Sequence, residues 1–199
     1  MQILKLKITL ILGLGFILLI PAASSAQIKF GIRAGLNASN IAFENLPDRR
    51  ERFGFHAGVF ADVPVASGFM SIQPELSYSI KGTAFEYLGN KQNLKMDYVD
   101  FLLPVAFKLG PVDLQVGPFA SYLISKPEYT TYNDNVLVTD AFNKIDAGLT
   151  AGLSFNFNKL LLGIRYNQGF ANVSKDNVQL LLGEGKNSVG QVSLGYRFQ

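Results

Sequence analysis

His56 is the only histidine in the 199-residue chain, and the chain contains no cysteine. His56 is therefore the one candidate general base of the usual kind. Glu75 and Ser77 lie on the next predicted strand and face the same way as His56. A Ser–His–acid arrangement needs all three groups within hydrogen-bond reach on an accessible face. No recognisable catalytic motif surrounds these residues, so the favoured interpretation is a histidine in an interior polar network. A lipid-modifying enzyme is the alternative.

Metal and nucleic-acid sites are not predicted. Zinc sites need clustered His, Cys or carboxylate ligands, and the sequence also lacks a calcium-loop motif. We therefore predict no catalytic, cofactor-binding or metal-binding residues and no cofactor. The chain has 18 basic and 15 acidic residues. Without Lys5 and Lys7, 16 of those 18 basic residues remain against the 15 acidic ones, a balance that gives no case for nucleic-acid binding.

Residues 1–26 have the pattern of a cleaved secretory signal peptide. Lys5 and Lys7 precede an uncharged, mostly apolar run at Ile8–Ile20, and Pro21 breaks it. Small residues end the segment at Ala26, where we predict cleavage. The run is shorter than the roughly 20 residues that a spanning helix needs. The predicted mature domain is residues 27–199.

The mature chain repeats one design, in which apolar residues alternate with small, polar or charged ones. Because successive side chains of a strand point to opposite faces, each repeat predicts a strand with one apolar face. The final repeat illustrates this design, because Val192, Leu194, Tyr196 and Phe198 share its apolar face. The predicted strands are Ile28–Ala38, Phe53–Val63, Phe69–Lys81, Lys95–Leu109, Val112–Ile124, Lys144–Phe157, Leu160–Gly169 and Gly190–Phe198.

The connections between these strands alternate between long and short. The polar segments Gly82–Leu94, Ser125–Asn143 and Phe170–Val189 are predicted loops, whereas Gly110-Pro111 and Asn158-Lys159 are tight turns. Long loops at one end and short turns at the other are typical of outer-membrane barrels, and eight is the smallest common strand number. The predicted fold is all-β, an eight-stranded antiparallel up-and-down transmembrane β-barrel.

The alternation leaves two orientations to compare. In a soluble lipocalin-like barrel the apolar face points inward, whereas in a membrane barrel it meets lipid and the polar face fills the interior. The polar face is rich in glycine and serine, which suits the crowded lumen of a narrow barrel. Its charged residues, which we expect to pair across the lumen, are Lys29, Arg33, Asp62, Glu75, Lys81, Asp100, Lys108, Asp113, Asp146, Arg165 and Arg197. We expect Glu75, Asp100, Asp113 and Asp146 to face Arg33, Lys81, Arg165 and Arg197.

Aromatic residues favour the membrane orientation. When the short turns are placed in the periplasm, the aromatic residues of the apolar face form two belts at the strand ends, as expected at membrane interfaces. The periplasmic belt is Phe30, Phe107, Phe155, Phe157, Tyr196 and Phe198; the outer belt is Phe53, Phe55, Tyr78, Tyr122 and Tyr166.

Three prolines lie inside predicted strands. Pro74, Pro104 and Pro118 each remove a ladder hydrogen bond, and a closed barrel has no free edge to hold them. We expect bulges or local bends at these positions.

Several stretches resemble the PorT-like family of small outer-membrane β-barrel proteins, common in Bacteroidota. They are Gly31–Asn37, Gln73–Gly82, Tyr98–Pro104, Gly117–Phe119, Asp146–Gly152, Arg165-Tyr166 and Leu194–Phe198. The resemblance covers nearly the whole mature chain in order. It implies the barrel fold and an outer-membrane location but little chemistry, since the family name comes from a member involved in secretion. The aromatic near the C-terminus also resembles the signal read by barrel-assembly machinery, although Gln199 follows Phe198.

The predicted function is that of an integral outer-membrane barrel without a wide pore. Its role is structural, adhesive or accessory to secretion, and the extracellular loops carry it. The expected partners are outer-membrane lipid and lipopolysaccharide, the assembly machinery, and an unknown ligand or protein at loops such as Ser125–Asn143. The protein is expected to be a monomer. A lipid-modifying enzyme and a soluble, exported ligand-binding barrel are the alternatives.

Overall fold

The computed structural model describes residues 27–43, 49–66, 68–87, 90–125, 128–130, 135–137, 142–175 and 183–198. The predicted signal peptide at residues 1–26 lies outside this range. Within the described residues no helix is long and apolar enough to cross a membrane. The described part of the chain forms thirteen strands: β1 Lys29–Phe43, β2 Arg49–Arg50, β3 Arg52–Ala66, β4 Met70–Ile72, β5 Glu75–Tyr87, β6 Asn90–Leu102, β7 Val105–Leu109, β8 Val112–Leu123, β9 Glu128–Thr130, β10 Asn135–Leu137, β11 Ile145–Phe157, β12 Leu160–Gly169 and β13 Gly185–Arg197.

Eight strands form a closed antiparallel wall. Strands β4 and β5 together make one wall strand, and β6 and β7 make the next, because short interruptions separate the two members of each pair. The first and last strands close the ring through a ladder that runs from Gly31↔Arg197 to Phe43↔Gly185. This pairing leaves neither edge open, as a spanning sheet requires. The predicted eight-stranded up-and-down barrel is confirmed.

The two ends of the barrel differ in their connections. Tight turns lie at one end, which we call the turn end, and residues with positive φ make two of them, Gly110 (69°) and Asn158 (56°). Left-handed backbone of this kind favours Gly and Asn. Both described chain ends, near Ile28 and Phe198, also lie at the turn end, because Gly31 pairs with Arg197. We call the opposite end the loop end.

At the loop end the strands run further than the sequence predicts. The segment Gly82–Leu94, predicted as a loop, instead continues a hairpin in which β5 and β6 pair out to Tyr87↔Asn90. Strand β13 likewise begins at Gly185, inside the predicted loop Phe170–Val189. The physical reason is packing: Leu94 and Val189 are buried on the inner face of these extensions, so the added ladder brings further apolar side chains out of water.

The three strand prolines lie side by side across neighbouring strands and keep the register. Each proline carbonyl accepts a hydrogen bond from the adjacent strand: Ala61 N to Pro74 O at 3.0 Å, Gln73 N to Pro104 O at 2.8 Å and Leu103 N to Pro118 O at 3.0 Å. Each proline therefore lacks a backbone N–H donor, but its carbonyl oxygen still accepts a hydrogen bond.

The expected bulges at these prolines are therefore wrong. Val63↔Ile72 and Phe60↔Glu75, which flank Pro74, belong to one unshifted register. Strand β8 passes through Pro118 without a break. The one register shift of this region lies between Pro64 and Ala66, beside the turn.

The apolar face points outward. Residues such as Leu36, Val59, Leu149 and Leu194 are at least half exposed, whereas the polar face is buried inside the barrel. A soluble barrel would have the reverse arrangement, so the lipocalin-like alternative is wrong. Leu102 and Pro104 are buried and face inward.

The aromatic belts follow the prediction. At the turn end Phe30, Phe155, Phe157, Tyr196 and Phe198 are exposed on the outer face. Phe107 is half-buried there and packs edge-on against Phe69, with ring centroids 6.1 Å apart. The loop-end belt contains the exposed Phe53, Phe55, Tyr122 and Tyr166, and Tyr78 packs against Phe55 at 5.8 Å.

Candidate functional site

The lumen is the part of the molecule where polar chemistry is concentrated. Its inner wall consists of the alternate residues of each strand that face away from lipid, and three groups of charged side chains lie at successive heights along it. We call them the turn-end, central and loop-end clusters. Buried charges are costly unless they are paired and hydrogen-bonded, so the partners of each group decide what the lumen can do.

The central cluster joins three strands across the lumen. Glu75 of β5 accepts hydrogen bonds from Arg33 of β1 (Nη1 to Oε2, 2.7 Å) and from Arg165 of β12 (Nη1 to Oε1, 3.1 Å; Nη2 to Oε2, 2.9 Å). All three side chains are buried. Gln115 Nε2 donates to Gln73 Oε1 at 2.7 Å beside them. The two-pronged contact from Arg165 fixes both oxygens of the carboxylate, so this cluster closes the middle of the lumen.

The turn-end cluster is a second group of ion pairs. Lys108 Nζ lies 2.9 Å from Asp62 Oδ2 and 3.0 Å from Asp113 Oδ2. Arg197 Nη2 lies 3.5 Å from Asp62 Oδ2 and donates to Asn156 Oδ1 at 3.0 Å. These contacts tie β13 to β3 and β11 near the turns.

The loop-end cluster surrounds Lys81, which is 1% exposed. Its Nζ donates to Asp100 Oδ1 and to Ser121 Oγ, both at 2.8 Å. The ammonium group also lies 4.9 Å from the ring centroid of Tyr98 and 5.5 Å from that of Phe119. Aromatic faces attract a desolvated cation, so Lys81 is held by two rings as well as by Asp100, one of the four carboxylates expected to face the lumen cations.

Asp146 departs from the predicted pairing with a cation. Among the described residues its hydrogen bond comes from Asn187 Nδ2, which donates to Oδ2 at 2.9 Å. In the part of the chain that the structure describes, the three clusters and Asp146 together contain five cations, Arg33, Lys81, Lys108, Arg165 and Arg197, and five carboxylates, Asp62, Glu75, Asp100, Asp113 and Asp146.

His56 does not form the arrangement that a catalytic triad needs. It is 2% exposed, and its Nδ1 donates to Asn37 Oδ1 at 2.7 Å. The residue paired with it on β5 is Ser79, and Asn37 Nδ2 donates to Ser79 Oγ at 3.0 Å. Ser77 lies beside Gly58, and the Glu75 carboxylate is engaged by the two arginines. Within the described residues His56 is part of a buried polar network, the favoured interpretation of the sequence.

Two glycines of β1 make room for bulky inward side chains. A Cβ on Gly31 would lie 2.5 Å from the ring of Phe60, and one on Gly35 would lie 2.8 Å from Cε1 of His56. The Phe60 ring in turn lies 5.1 Å from the guanidinium carbon of Arg33. These glycines therefore let the interior close around bulky side chains.

An apolar cap closes the loop end above the charged clusters. The cap is the buried cluster Ile41, Leu94, Met96, Tyr98, Leu123, Phe142 and Val173. Five of these residues come from wall strands, whereas Phe142 and Val173 come from the long connections. Sequence reasoning missed the cap because it assumed that the inward face is polar along its whole length. The cap could have been predicted from Leu94, Met96 and Tyr98, three apolar or aromatic residues that alternate along one strand on its inward face.

Hydrogen bonds between the two long connections position the cap. Phe142 forms a β-bridge with Ser174. Asn143 N donates to Val173 O at 2.8 Å, and Asn143 Nδ2 donates to Asn172 O at 2.8 Å. Asn172 Oδ1 accepts from Ser174 N at 2.9 Å. Both connections therefore hold their apolar residues over the lumen together.

The described residues contain no group of three or more His, Cys, Asp or Glu side chains placed to bind a metal ion. The sequence-based expectation that the protein uses no metal or cofactor stays a prediction.

Comparison with known proteins places this filled barrel in a family. The profile of the outer membrane protein beta-barrel domain family matches residues 22–175, more than half of the chain. The chain belongs to this family. Its location is accordingly the outer membrane. No curated protein sequence matches it at a comparable level.

Solved structures similar to this barrel include three outer-membrane proteins. Neisserial surface protein A has 12% identity and a TM-score of 0.56, covering 85% of this chain and 97% of that one. The Yersinia pestis attachment invasion locus protein Ail, in complex with the heparin analogue sucrose octasulfate, has 15% identity and a TM-score of 0.50, covering 86% and 99%. A major outer membrane protein from Thermus thermophilus has 15% identity and a TM-score of 0.50, covering 86% and 100%. At these identities the likeness concerns the fold.

The filled lumen of this family member leads to a test of conductance. We expect the purified, refolded barrel to give no steady conductance step in planar bilayers, because the central cluster occupies an interior only wide enough for side chains. The variant Phe142→Ala, which removes part of the cap, should also be non-conducting. The side chains of Arg33, Glu75 and Arg165 still block the lumen below the cap. A porin of known conductance is the positive control. A stable step of the size of a wide aqueous pore in either protein would contradict the filled lumen.

Proposed function

We propose that this family member is a non-conducting outer-membrane barrel of the PorT-like type that acts through its loop end. In this proposal residues 1–26 are a signal peptide that is removed on export, and residues 27–199 are a monomeric barrel assembled by the barrel-assembly machinery. The short turns face the periplasm and the long loops face outward. Nucleic acid is not a partner.

One observation carries the proposal. The central cluster and the apolar cap fill the space through which a solute would have to pass. A barrel whose interior is occupied in this way offers its outer surface and its loops for function. Loops on a rigid scaffold are also where binding residues concentrate.

The loop composition supports recognition as the role. Ser125–Asn143 contains Tyr, Asn and Asp residues of the type used in adaptable binding surfaces. Its strands β9 and β10 pair with each other, and β9 also pairs antiparallel with β6, while Tyr132–Asp134 lie outside the described residues. The stretch Arg50–Arg52 lies at the same end, where arginines suit the phosphates of lipopolysaccharide. Ail, of similar fold, is named for attachment and binds a sulfated sugar in its structure.

Within this proposal the protein is not an enzyme. A lipid-modifying activity needs an accessible nucleophile and base, and the geometry of His56 described above does not favour it. A structural, adhesive or secretion-accessory role fits the closed lumen without further chemistry.

Exchanging the long loop tests the role. In a strain carrying the gene, residues 126–141 are replaced by a Gly-Ser linker of equal length, which keeps Phe142 of the cap and the neighbouring Asn143, whose hydrogen bonds position it. We expect adhesion to sugars or host surfaces, or the profile of secreted proteins, to fall to the level of the deletion strain while barrel abundance stays unchanged. As a control, a Gly-Ser linker matched to its own length replaces Lys175–Leu182 on the other connection. A deletion strain with normal adhesion, secretion and envelope integrity would contradict the proposal.

A further inference from the structure

The loop-end aromatic belt is interrupted at the seam between β1 and β13. One row of paired residues runs around the wall at this height, through Phe53↔Ala38, Ala38↔Gly190 and Gly190↔Tyr166. Two exposed aromatic side chains therefore flank two neighbouring strands that carry only a methyl group and a hydrogen atom. Because adjacent strands lie about 4.8 Å apart, the strands of the two aromatics are roughly 14 Å apart. We call this gap the seam notch.

Toward the turn end the seam notch continues as an apolar recess. Its volume is about 680 Å³, and Leu36, Ile164 and Val192 line it together with the two aromatics. These three side chains are exposed on the lipid-facing surface. Pockets for small organic ligands span roughly 300–1,000 Å³, so the recess is large enough to hold part of an acyl chain.

Toward the loop end the same notch becomes polar. A second recess shares its floor with the first and adds Asn40, Glu51 and Ser188. Lys186 is exposed on the same face of β13 as Ser188 and pairs with Ala42, which also lines this recess. The notch therefore changes from apolar to polar at the height of the aromatic belt, and such belts lie at membrane interfaces. An occupant that fits both halves must be amphipathic.

Gly190 is the floor of the notch, and no close contact in the structure requires a glycine there. A Cβ at this position would have Ala38 O, 3.8 Å away, as its nearest neighbour. The other strand glycines whose surroundings are described would place a Cβ within 3.3 Å of another atom. Glycine inside a strand is less favourable than alanine because it loses more conformational freedom on folding. A strand glycine of this kind can mark a place where a ligand approaches the backbone closely.

We propose that the seam notch binds one molecule of lipid A, the acylated and phosphorylated glucosamine disaccharide that anchors lipopolysaccharide. One acyl chain lies in the apolar recess against Gly190, the sugar lies against Glu51 and Ser188, and a phosphate group meets Lys186. The inference rests on the outward orientation of the long loops in the proposed function, because that orientation puts the notch in the lipopolysaccharide leaflet. It does not depend on what the loops bind.

The charges around the polar recess suit a phosphorylated head group. A lysine ammonium group binds phosphate as a point charge. Lys186 lies four residues from Gly190 along β13, which places its backbone roughly 13 Å toward the loop end, beyond the polar recess. The anionic Glu51 stands between Arg50 and Arg52 in the chain, so its negative charge is offset by its immediate neighbours.

The uncharged groups of the recess suit the sugar. The hydroxyl groups of Tyr166 and Ser188 both donate to Gln168 Oε1, at 3.0 and 3.1 Å. Their oxygens are therefore left to act as acceptors, as is the carboxylate of Glu51. Lipid A supplies matching donors, since its glucosamine units carry amide N–H groups and its sugars and acyl chains carry hydroxyl groups.

Two other occupants fit less well. A phospholipid would occupy the periplasmic leaflet of an asymmetric outer membrane, which in the proposed orientation lies at the turn end, away from the notch. A second copy of this barrel would present a convex wall, which cannot reach a floor recessed between Phe53 and Tyr166.

Native mass spectrometry tests the site. The full barrel is reconstituted in vesicles containing equal amounts of lipid A, phosphatidylethanolamine and phosphatidylglycerol, extracted gently, and scored for retained lipid. We expect one retained lipid A on the unaltered protein. Gly190→Leu, which fills the notch and is sterically allowed at Cβ, should lower retention at least about tenfold because an acyl chain gains free energy with each buried methylene.

A second pair of variants tests the phosphate contact. Lys186→Gln should lower retention of lipid A about fivefold, the effect of one basic residue near an anionic lipid surface, and Lys186→Arg should restore it. With lipid A from which the phosphates have been removed, Lys186→Gln should retain as much as the unaltered protein. An equal loss with both forms of lipid A would contradict the assigned contact.

The matched control is Ala34→Leu, a comparable enlargement on the exposed face of β1 outside the notch. It should retain lipid A as the unaltered protein does, and heat-modifiable gel mobility should show that all variants are folded. Equal retention by Gly190→Leu, preferential retention of either phospholipid, or a dimer that Gly190→Leu disrupts would each overturn the proposal.

An epitope inserted within residues 126–141 separates this inference from the proposed function. If an antibody reaches the epitope on intact cells, the loop end faces outward, and a negative lipid result then overturns the lipid A site alone. If the antibody reaches it only after the outer membrane is permeabilised, the proposed orientation and the site that rests on it are both wrong.

Discussion

Replacing Glu75 by glutamine is expected to lower the free energy of unfolding by about 3–5 kcal/mol, the cost of breaking a buried ion pair by removing one partner. The carboxylate is the only anion in contact with Arg33 and Arg165 among the described residues, at 2.7 and 2.9 Å. Glutamine is almost the same size, so the loss comes from charge: two buried guanidinium groups then face each other without compensation. Urea-induced unfolding in detergent micelles, followed by gel mobility, measures it.

Two comparisons separate this charge effect from general damage to the lumen. Arg33→Met leaves the two-pronged pair of Arg165 with Glu75 intact, so it should cost clearly less than Glu75→Gln. Asp97→Asn removes a partly exposed pair with Lys95 at 3.7 Å and should cost at most about 1 kcal/mol. If Glu75→Gln proved no more destabilising than Asp97→Asn, the central cluster would not hold the barrel together.

Deleting Tyr196–Gln199 is expected to block membrane assembly. The segment closes the seam, because Phe198 N donates to Phe30 O and Arg197 N donates to Lys159 O, both at 2.8 Å. The deletion also removes the ion pair of Arg197 with Asp62. In hydrocarbon each unsatisfied backbone group costs several kcal/mol, so even a few open pairs at the edge reduce the folded fraction by orders of magnitude.

The readout is the amount of heat-modifiable, detergent-extractable protein in the outer membrane. Deletion of Gln199 alone is the control, since the ladder described for the seam ends with Phe198. Normal insertion of the longer truncation would show that the ladder formed by the rest of β13 closes the barrel without its last turn-end pairs.

Much of the fold follows from short-range pattern. The parity of Leu194, Tyr196 and Phe198 along one strand fixes which face is apolar, because the side-chain period of two is a local property of the backbone. Pattern also locates the turns at Gly110-Pro111 and Asn158-Lys159. It does not show where a strand ends when its outer part leaves lipid, and for that reason the extension through Gly82–Leu94 was predicted as a loop. The bulges expected at the prolines are likewise absent from the described ladders, since a strand viewed alone does not show that the carbonyl of Pro104 has a donor on its neighbour.

The sequence by itself determined the class of barrel, its eight wall strands, and the polar character of its interior, because composition and alternation specify burial without reference to distant residues. Only the tertiary structure decided which charges meet. Glu75 lies 42 residues from Arg33 and 90 from Arg165, and no local rule selects such partners. It also decided that Phe142 and Val173 cap the lumen, and that Ala38 and Gly190 lie side by side between two aromatics. Ala38 and Gly190 are neighbours because β1 pairs with β13, and these strands lie at the two ends of the barrel sequence.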